Sequence, residues 1–177
     1  RLVENIKNYG NHLTTGFLGT LYLCHVLSRF GRTDVAYDLL LQESYPSWLY
    51  PVKMGATTIW ERWDGIKPDG SFQTASMNSY NHYAYGAIGD RMYRNVAGLS
   101  SDESSPGYKH IIIKPQPGGK LTHATAELMS SYGLVSTDWK LENNRFRLNV
   151  KIPANTTATI TLPNGEQKQV GSGNYAF

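Results

Sequence analysis

The apolar residues recur at helical spacing from Arg1 to about Gly98 and alternate singly from about Gly107 onward. A chain that changes period in this way builds two structural units, because a helical stripe and a pleated face bury their apolar sides against different partners. The reading is therefore a helical unit over residues 1–100 and a β unit over residues 107–177. The polar, acidic stretch Ser100 to Pro106 reads as a linker between them.

In the first half, Thr15 to Phe30 reads as a helix with Thr14 or Thr15 as N-cap and Gly31 as its C′ residue. Leu18, Leu21, Tyr22, Leu23, Val26, Leu27 and Phe30 make it apolar on too many sides for a surface helix. A short helix is expected over Asp34 to Gln42, and a third from about Tyr80 to Val96. Three such helices expose more apolar surface than their neighbours in sequence can cover, so this half is expected to be an arc of a larger helical array. Self-association through that exposed face is one expected consequence.

The second half reads as a small antiparallel β-sandwich. Ile111 to Lys114 and Ala124 to Met129 are strand candidates. Trp139 to Pro153 reads as a hairpin around Asn143-Asn144, with Phe146, Leu148, Val150 and Ile152 facing inward. Ala158, Ile160 and Leu162 continue the alternation to Asn164-Gly165, taken as a type I′ turn, and Gln167 to Val170 returns. Asn155-Thr156-Thr157 has the form of a glycosylation sequon but reads as a turn beside a strand.

Composition narrows the function classes. The net charge is +3 and the basic residues are scattered, which argues against nucleic acid as a partner. No apolar run approaches the roughly 20 residues of a membrane span. The single cysteine, Cys24, lies among Leu21, Tyr22, Leu23, Val26 and Leu27 and reads as a small buried hydrophobe. Cytoplasmic, periplasmic and secreted locations stay open. The 5 histidines show no ligand spacing, so neither a metal nor a cofactor is expected. The sequence opens at Arg1 directly into amphipathic residues, and residues upstream of it are expected to be missing.

The 12 Tyr and 4 Trp suit either stacking on sugar faces or dense packing between helices. Three of those tryptophans fall in Glu43 to Phe72, which Pro46, Pro51, Gly55, Gly65, Pro68 and Gly70 keep irregular. A long aromatic loop of this kind is uncommon without a function. Within it, Gly55-Ala56-Thr57-Thr58-Ile59-Trp60-Glu61-Arg62-Trp63-Asp64-Gly65 sets two carboxylates between two indoles. Indoles stack on sugar rings and carboxylates do acid and base work at an anomeric carbon. The competing reading is a surface pair of Glu61 with Arg62 or another cation, with the tryptophans filling a helix interface.

This segment resembles the signature of glycoside hydrolase family 78, the bacterial α-L-rhamnosidases. Further blocks in the same order carry the resemblance: His12-Leu13-Thr14-Thr15-Gly16-Phe17-Leu18-Gly19-Thr20, Tyr45-Pro46-Ser47-Trp48-Leu49-Tyr50, Ser76-Met77-Asn78 and Asn81-His82-Tyr83-Ala84-Tyr85-Gly86-Ala87. The resemblance implies an α+β multidomain fragment, the α-helical part of an (α/α)6 barrel followed by the β-sandwich. It also implies hydrolysis of terminal α-L-rhamnosides with inversion, with Glu61 as general base and His82 touching the sugar. Trp60, Trp63 and Asp64 are then lining or supporting residues. The general acid falls upstream, in the missing N-terminal part of the same polypeptide, so this piece alone is expected to be inactive. The sequence departs from the family pattern by inserting Ser79-Tyr80 ahead of His82, which bears on the register of that histidine. Two alternatives stay open beside this reading: a non-catalytic carbohydrate-binding module, and an (α/α)6 glycosidase for another sugar.

Overall fold

Residues Leu2–Asn8 form helix α1, and the long apolar pattern after it folds as α2, Phe17–Arg29, in the computed structural model, which describes residues 1–76 and 78–177. The N-cap of α2 is Gly16, without a side-chain cap, rather than either threonine. The hydroxyl of Thr15 instead meets that of Thr20 at 2.8 Å. At the other end Gly31 sits at φ +74, where its N–H donates to Ser28 O and the N–H of Arg32 donates to Leu27 O. This is the paired closure that a left-handed residue allows, so Gly31 terminates the helix as expected.

Helix α3, Thr33–Leu40, follows at once, and α4, Leu49–Lys53, is a short turn inside the aromatic loop. Arg32 grips Asp34 through both guanidinium arms, at 3.1 and 2.8 Å, and that bond holds the Asp34 carboxyl at about 2. Leu23, Cys24 and Leu27 of α2 pack on Val35, Ala36 and Leu39 of α3, joined by Ile6, Leu13, Trp48 and Tyr85. Cys24 is buried with its sulfur 3.9 Å from the Ala36 carbonyl, the small apolar role expected of it. The outward side of α2 carries Leu18, Tyr22, Val26 and Phe30 at 80%, 62%, 39% and 73% exposure, a stripe at i, i+4 spacing.

One continuous helix from Tyr80 to Val96 does not form. His82 caps the segment by accepting the Ala84 N–H on Nδ1, a tight 3-10 turn runs Tyr83–Ala87, a single α turn covers Ile88–Arg91, and a widened π turn covers Met92–Ala97. Gly86 and Gly89 sit inside this stretch, and glycine weakens a helix interior by about 1 kcal/mol against alanine. The apolar period of the segment concealed that loss.

The chain divides into compact units between Gly89 and Asp90. In the second unit, among the described residues, one sheet has the order β1-β2-β6-β7 and the other β3-β4-β5-β8. The strands are β1 Leu99–Ser101, β2 His110–Ile113, β3 His123–Ser130, β4 Gly133–Glu142, β5 Arg145–Ile152, β6 Thr157–Thr161, β7 Gln167–Val170 and β8 Gly173–Ala176. Ile111, Ile113, Ala158 and Ile160 from the first sheet and Val135, Trp139, Leu148, Val150 and Ile152 from the second fill one core. The pairing is antiparallel except between β2 and β6, which run parallel.

Three details differ from the sequence reading. Ser100 and Ser101 are strand rather than linker, because Leu99–Ser101 pairs with Ile111–Ile113. The β unit also begins earlier than residue 107: Trp139 Nε1–H donates to Val96 O at 2.7 Å and Thr137 Oγ1–H to Ala97 O at 3.2 Å, so the sheet holds the end of the π turn. Gly98, at φ +81, then lets the chain pass against Lys114 and Pro115 into β1. The Asn143-Asn144 hairpin turn has φ of 49 and 62, as a type I′ turn requires, but at Asn164-Gly165 only Gly165 is positive. There Pro163 occupies the second position of a turn closed by Gly165 N–H to Leu162 O at 2.9 Å, with Gly165 as the left-handed residue after it.

Candidate active site

The irregular segment Thr58 to Glu61 lies beside Ser79 to His82. Glu61 N–H donates to Ser79 O at 2.8 Å, and His82 N–H donates to Ile59 O at 2.8 Å. The Thr58 hydroxyl donates to the Tyr80 carbonyl. Across this short ladder the backbone N–H of Ser79 reaches the Glu61 carboxylate, 2.8 Å from Oε2. Glu61 is half-buried, and its orientation is set by a main-chain donor. Arg62 turns to Asp64 instead, with Nε 3.5 Å from Oδ1. With Arg62 exposed to solvent, a pair this far apart contributes little to stability.

Two separate groups of aromatic side chains pack around this segment. His82, Phe17, Tyr85, Trp63 and Trp48 form a continuous run: His82 stacks on Phe17 at 4.8 Å, Phe17 meets Tyr85 edge-on at 5.0 Å, Tyr85 stacks on Trp63 at 3.7 Å and Trp63 meets Trp48 edge-on at 5.6 Å. Trp48 is tied in place by Nε1–H donating to the Tyr85 carbonyl at 2.9 Å. Burial raises the Tyr85 phenol above the usual tyrosine range. Trp60 belongs to the other group. It is 5% exposed and meets the Tyr80 ring edge-on at 5.4 Å, so its indole supports the loop from inside.

His82 is half-buried, and its Nδ1 accepts the Ala84 N–H at 3.3 Å. In the neutral ring the proton therefore sits on Nε2, which is a donor. Asp64 is 20% exposed and bears on Tyr50, whose phenol is raised first by burial and then by the Asp64 charge. The Tyr50 hydroxyl donates to Ile66 O at 3.1 Å.

The structure thus brings Glu61 and His82 into one ladder, sets Trp63 in the ring array, turns Trp60 inward and pairs Asp64 with Arg62. Met77, part of one motif block, lies outside the described residues. Sequence reasoning missed the Ser79 amide, because any residue supplies a backbone N–H and the residue type carries no signal. Among the described residues no group of three or more His, Cys, Asp or Glu side chains converges as a metal would need.

Residues 1–96 match the family model described as the bacterial alpha-L-rhamnosidase 6 hairpin glycosidase domain, and residues 98–177 match that of the bacterial alpha-L-rhamnosidase C-terminal domain. The chain belongs to the bacterial α-L-rhamnosidase family. An alpha-L-rhamnosidase of Streptomyces avermitilis is 51% identical to it over 163 residues, 92% of this chain and 16% of the relative. One from Formosa agariphila is 46% identical over 99% of this chain and 19% of the relative. The chain therefore spans less than a fifth of the length of these rhamnosidases. Among solved structures, the Streptomyces avermitilis alpha-L-rhamnosidase complexed with L-rhamnose matches with a TM-score of 0.94 at 45% identity, over 99% of this chain and 19% of that one. The Aspergillus terreus enzyme matches with a TM-score of 0.94 at 42% identity, over 99% and 20%. The rhamnosidase fold class, part of a helical glycosidase domain followed by a β-sandwich, is the one read from the sequence.

Proposed function

We propose that this chain is the C-terminal part of an α-L-rhamnosidase that removes terminal α-L-rhamnose from glycosides with inversion, and that Glu61 is its general base. The observation that carries this reading is the Glu61 carboxylate, fixed at Oε2 by the Ser79 amide while its neighbour Arg62 pairs with Asp64. Water adds its oxygen to the anomeric carbon while Glu61 takes its proton through Oε1. The bond to the leaving oxygen breaks as a second carboxyl group protonates it, and inversion needs the two roughly 6.5–9.5 Å apart. That acid belongs to the part of the polypeptide preceding this chain. His82 presents Nε2–H to a sugar hydroxyl, Trp63 and its ring array stand beside it, and Trp60 and Asp64 support the loop. Water is the only co-reactant, and no cofactor takes part.

The same reading assigns the Leu18, Tyr22, Val26 and Phe30 stripe to contact with the preceding helices of the barrel. The isolated chain then self-associates through it. The test uses an aryl α-L-rhamnoside and the full-length protein, with proton NMR following the anomer first released. β-L-Rhamnose is expected, and α-L-rhamnose as first product would rule out inversion. Failure on this substrate with turnover of another glycoside would move the enzyme to a different sugar. The 177-residue chain alone is expected to leave the rhamnoside intact, and turnover by the pure chain near 1 s⁻¹, an ordinary rate of roughly that order for glycosidases, would place the acid within it.

A further inference from the structure

We propose that Tyr80 is a positioning residue for the general base: its phenol fastens the Ser79 amide against the Glu61 carboxylate. The inference rests on Glu61 being that base. A backbone donor holds a carboxylate only as firmly as its own segment is held, and the segment around Ser79 has no regular structure. It is tied instead at both ends of the loop that carries Glu61. At the near end Ser79 exchanges hydrogen bonds with Glu61 and the Thr58 hydroxyl donates to Tyr80 O. At the far end the Tyr80 hydroxyl donates to Gly65 O at 2.8 Å, and Asn78 Nδ2 donates both to Gly65 O at 3.2 Å and to the Tyr80 oxygen at 2.9 Å.

Glycine suits the far tie. A Cβ on Gly65 would stand 3.1 Å from the Tyr80 ring, 3.3 Å from Asn78 Oδ1 and 3.3 Å from the Trp60 ring, so a side chain there would press on the same groups that make the tie. Trp60 and Phe72, 5.4 and 5.8 Å from the Tyr80 ring, flank it. The adjacent residues Ser79 and Tyr80 thus supply the amide that meets the base and the phenol that anchors the amide.

Tyr80→Phe in the full-length enzyme keeps the ring and removes the tie. Turnover is expected to fall about 10- to 100-fold with KM nearly unchanged, since small misplacements of a reacting group cost that much. The deciding readout is the double variant. On a Glu61→Gln background Tyr80→Phe should cost nothing further, because there is no base left to position, whereas a merely structural role lowers both backgrounds by the same factor. Equal losses, or full turnover in Tyr80→Phe, would overturn the proposal while leaving Glu61 as base. Full turnover in Glu61→Gln would overturn both. Should Tyr80→Phe fail to fold, Thr58→Val, which removes the hydroxyl donor to Tyr80 O, carries the same test with the same expected background dependence.

Discussion

Glu61→Gln in the full-length protein is expected to lower kcat by about 10²–10⁴-fold while KM stays close to that of the parent. The amide keeps the size of the side chain, and its oxygen still accepts the Ser79 N–H that Oε2 now takes at 2.8 Å, so the loop has no reason to move. What is lost is the capacity to accept the proton of the attacking water. Glu61→Ala separates this from a folding defect, because it leaves room for azide, an anion that attacks the anomeric carbon without giving up a proton. Azide should restore turnover in that variant and yield the β-configured glycosyl azide. Asp64→Asn is the comparison, since Asp64 faces Arg62 and its loss should act through binding or local order. Retention of most of the parental kcat by Glu61→Gln would make the carboxylate structural.

The second large effect is expected at Gly98→Ala, in the β unit. A Cβ there would lie 2.1 Å from Pro115 N, 2.4 Å from Pro115 Cα and 2.5 Å from Lys114 C. These are backbone atoms and cannot rotate aside, and Lys114 N–H is bound to the Gly98 carbonyl at 2.7 Å. The left-handed conformation at φ +81 alone costs an alanine roughly 1–2 kcal/mol. The collision adds to that, so a loss of about 3 kcal/mol or more is expected, visible as faster hydrogen exchange at the amides of β4 and β5. Gly31→Ala is the control, with a similar φ of +74 and open space around the added carbon. Equal losses in the two variants would show that conformation alone decides the cost and that the contact with Pro115 relaxes freely.

Fold and site were legible in the sequence to different depths. Where burial sets the pattern, the residues announced their places: α2 and α3 with Gly31 closing the first of them, and the Trp139 to Ile152 hairpin with its two left-handed asparagines. Where the structure rests on backbone partners, they did not. β1 is three residues long and β8 four, too short to show alternation, and each exists because a neighbouring strand offers a ladder. The broken helix after His82 looked continuous because glycine occupies helical positions without disturbing the apolar period. In the site, carboxylate and imidazole stood out by residue type, and the family pattern singled out which ones. The amide of Ser79 and the carbonyl of Gly65 were invisible, since main-chain groups are common to every residue.

The bonds from Trp139 Nε1–H to Val96 O and from Thr137 to Ala97 O bear on how such a sandwich can be inherited. Both donors sit at the centre of the sheet with their side chains fully buried, and both acceptors belong to the turn that precedes the first strand. A crossover between genes at the start of β1 would transplant eight strands and leave an indole N–H and a hydroxyl in the core without acceptors, at about 1–3 kcal/mol each. The heritable module therefore includes the turn from Met92 to Ala97, and shuffling events that keep the sandwich intact are expected to cut upstream of it.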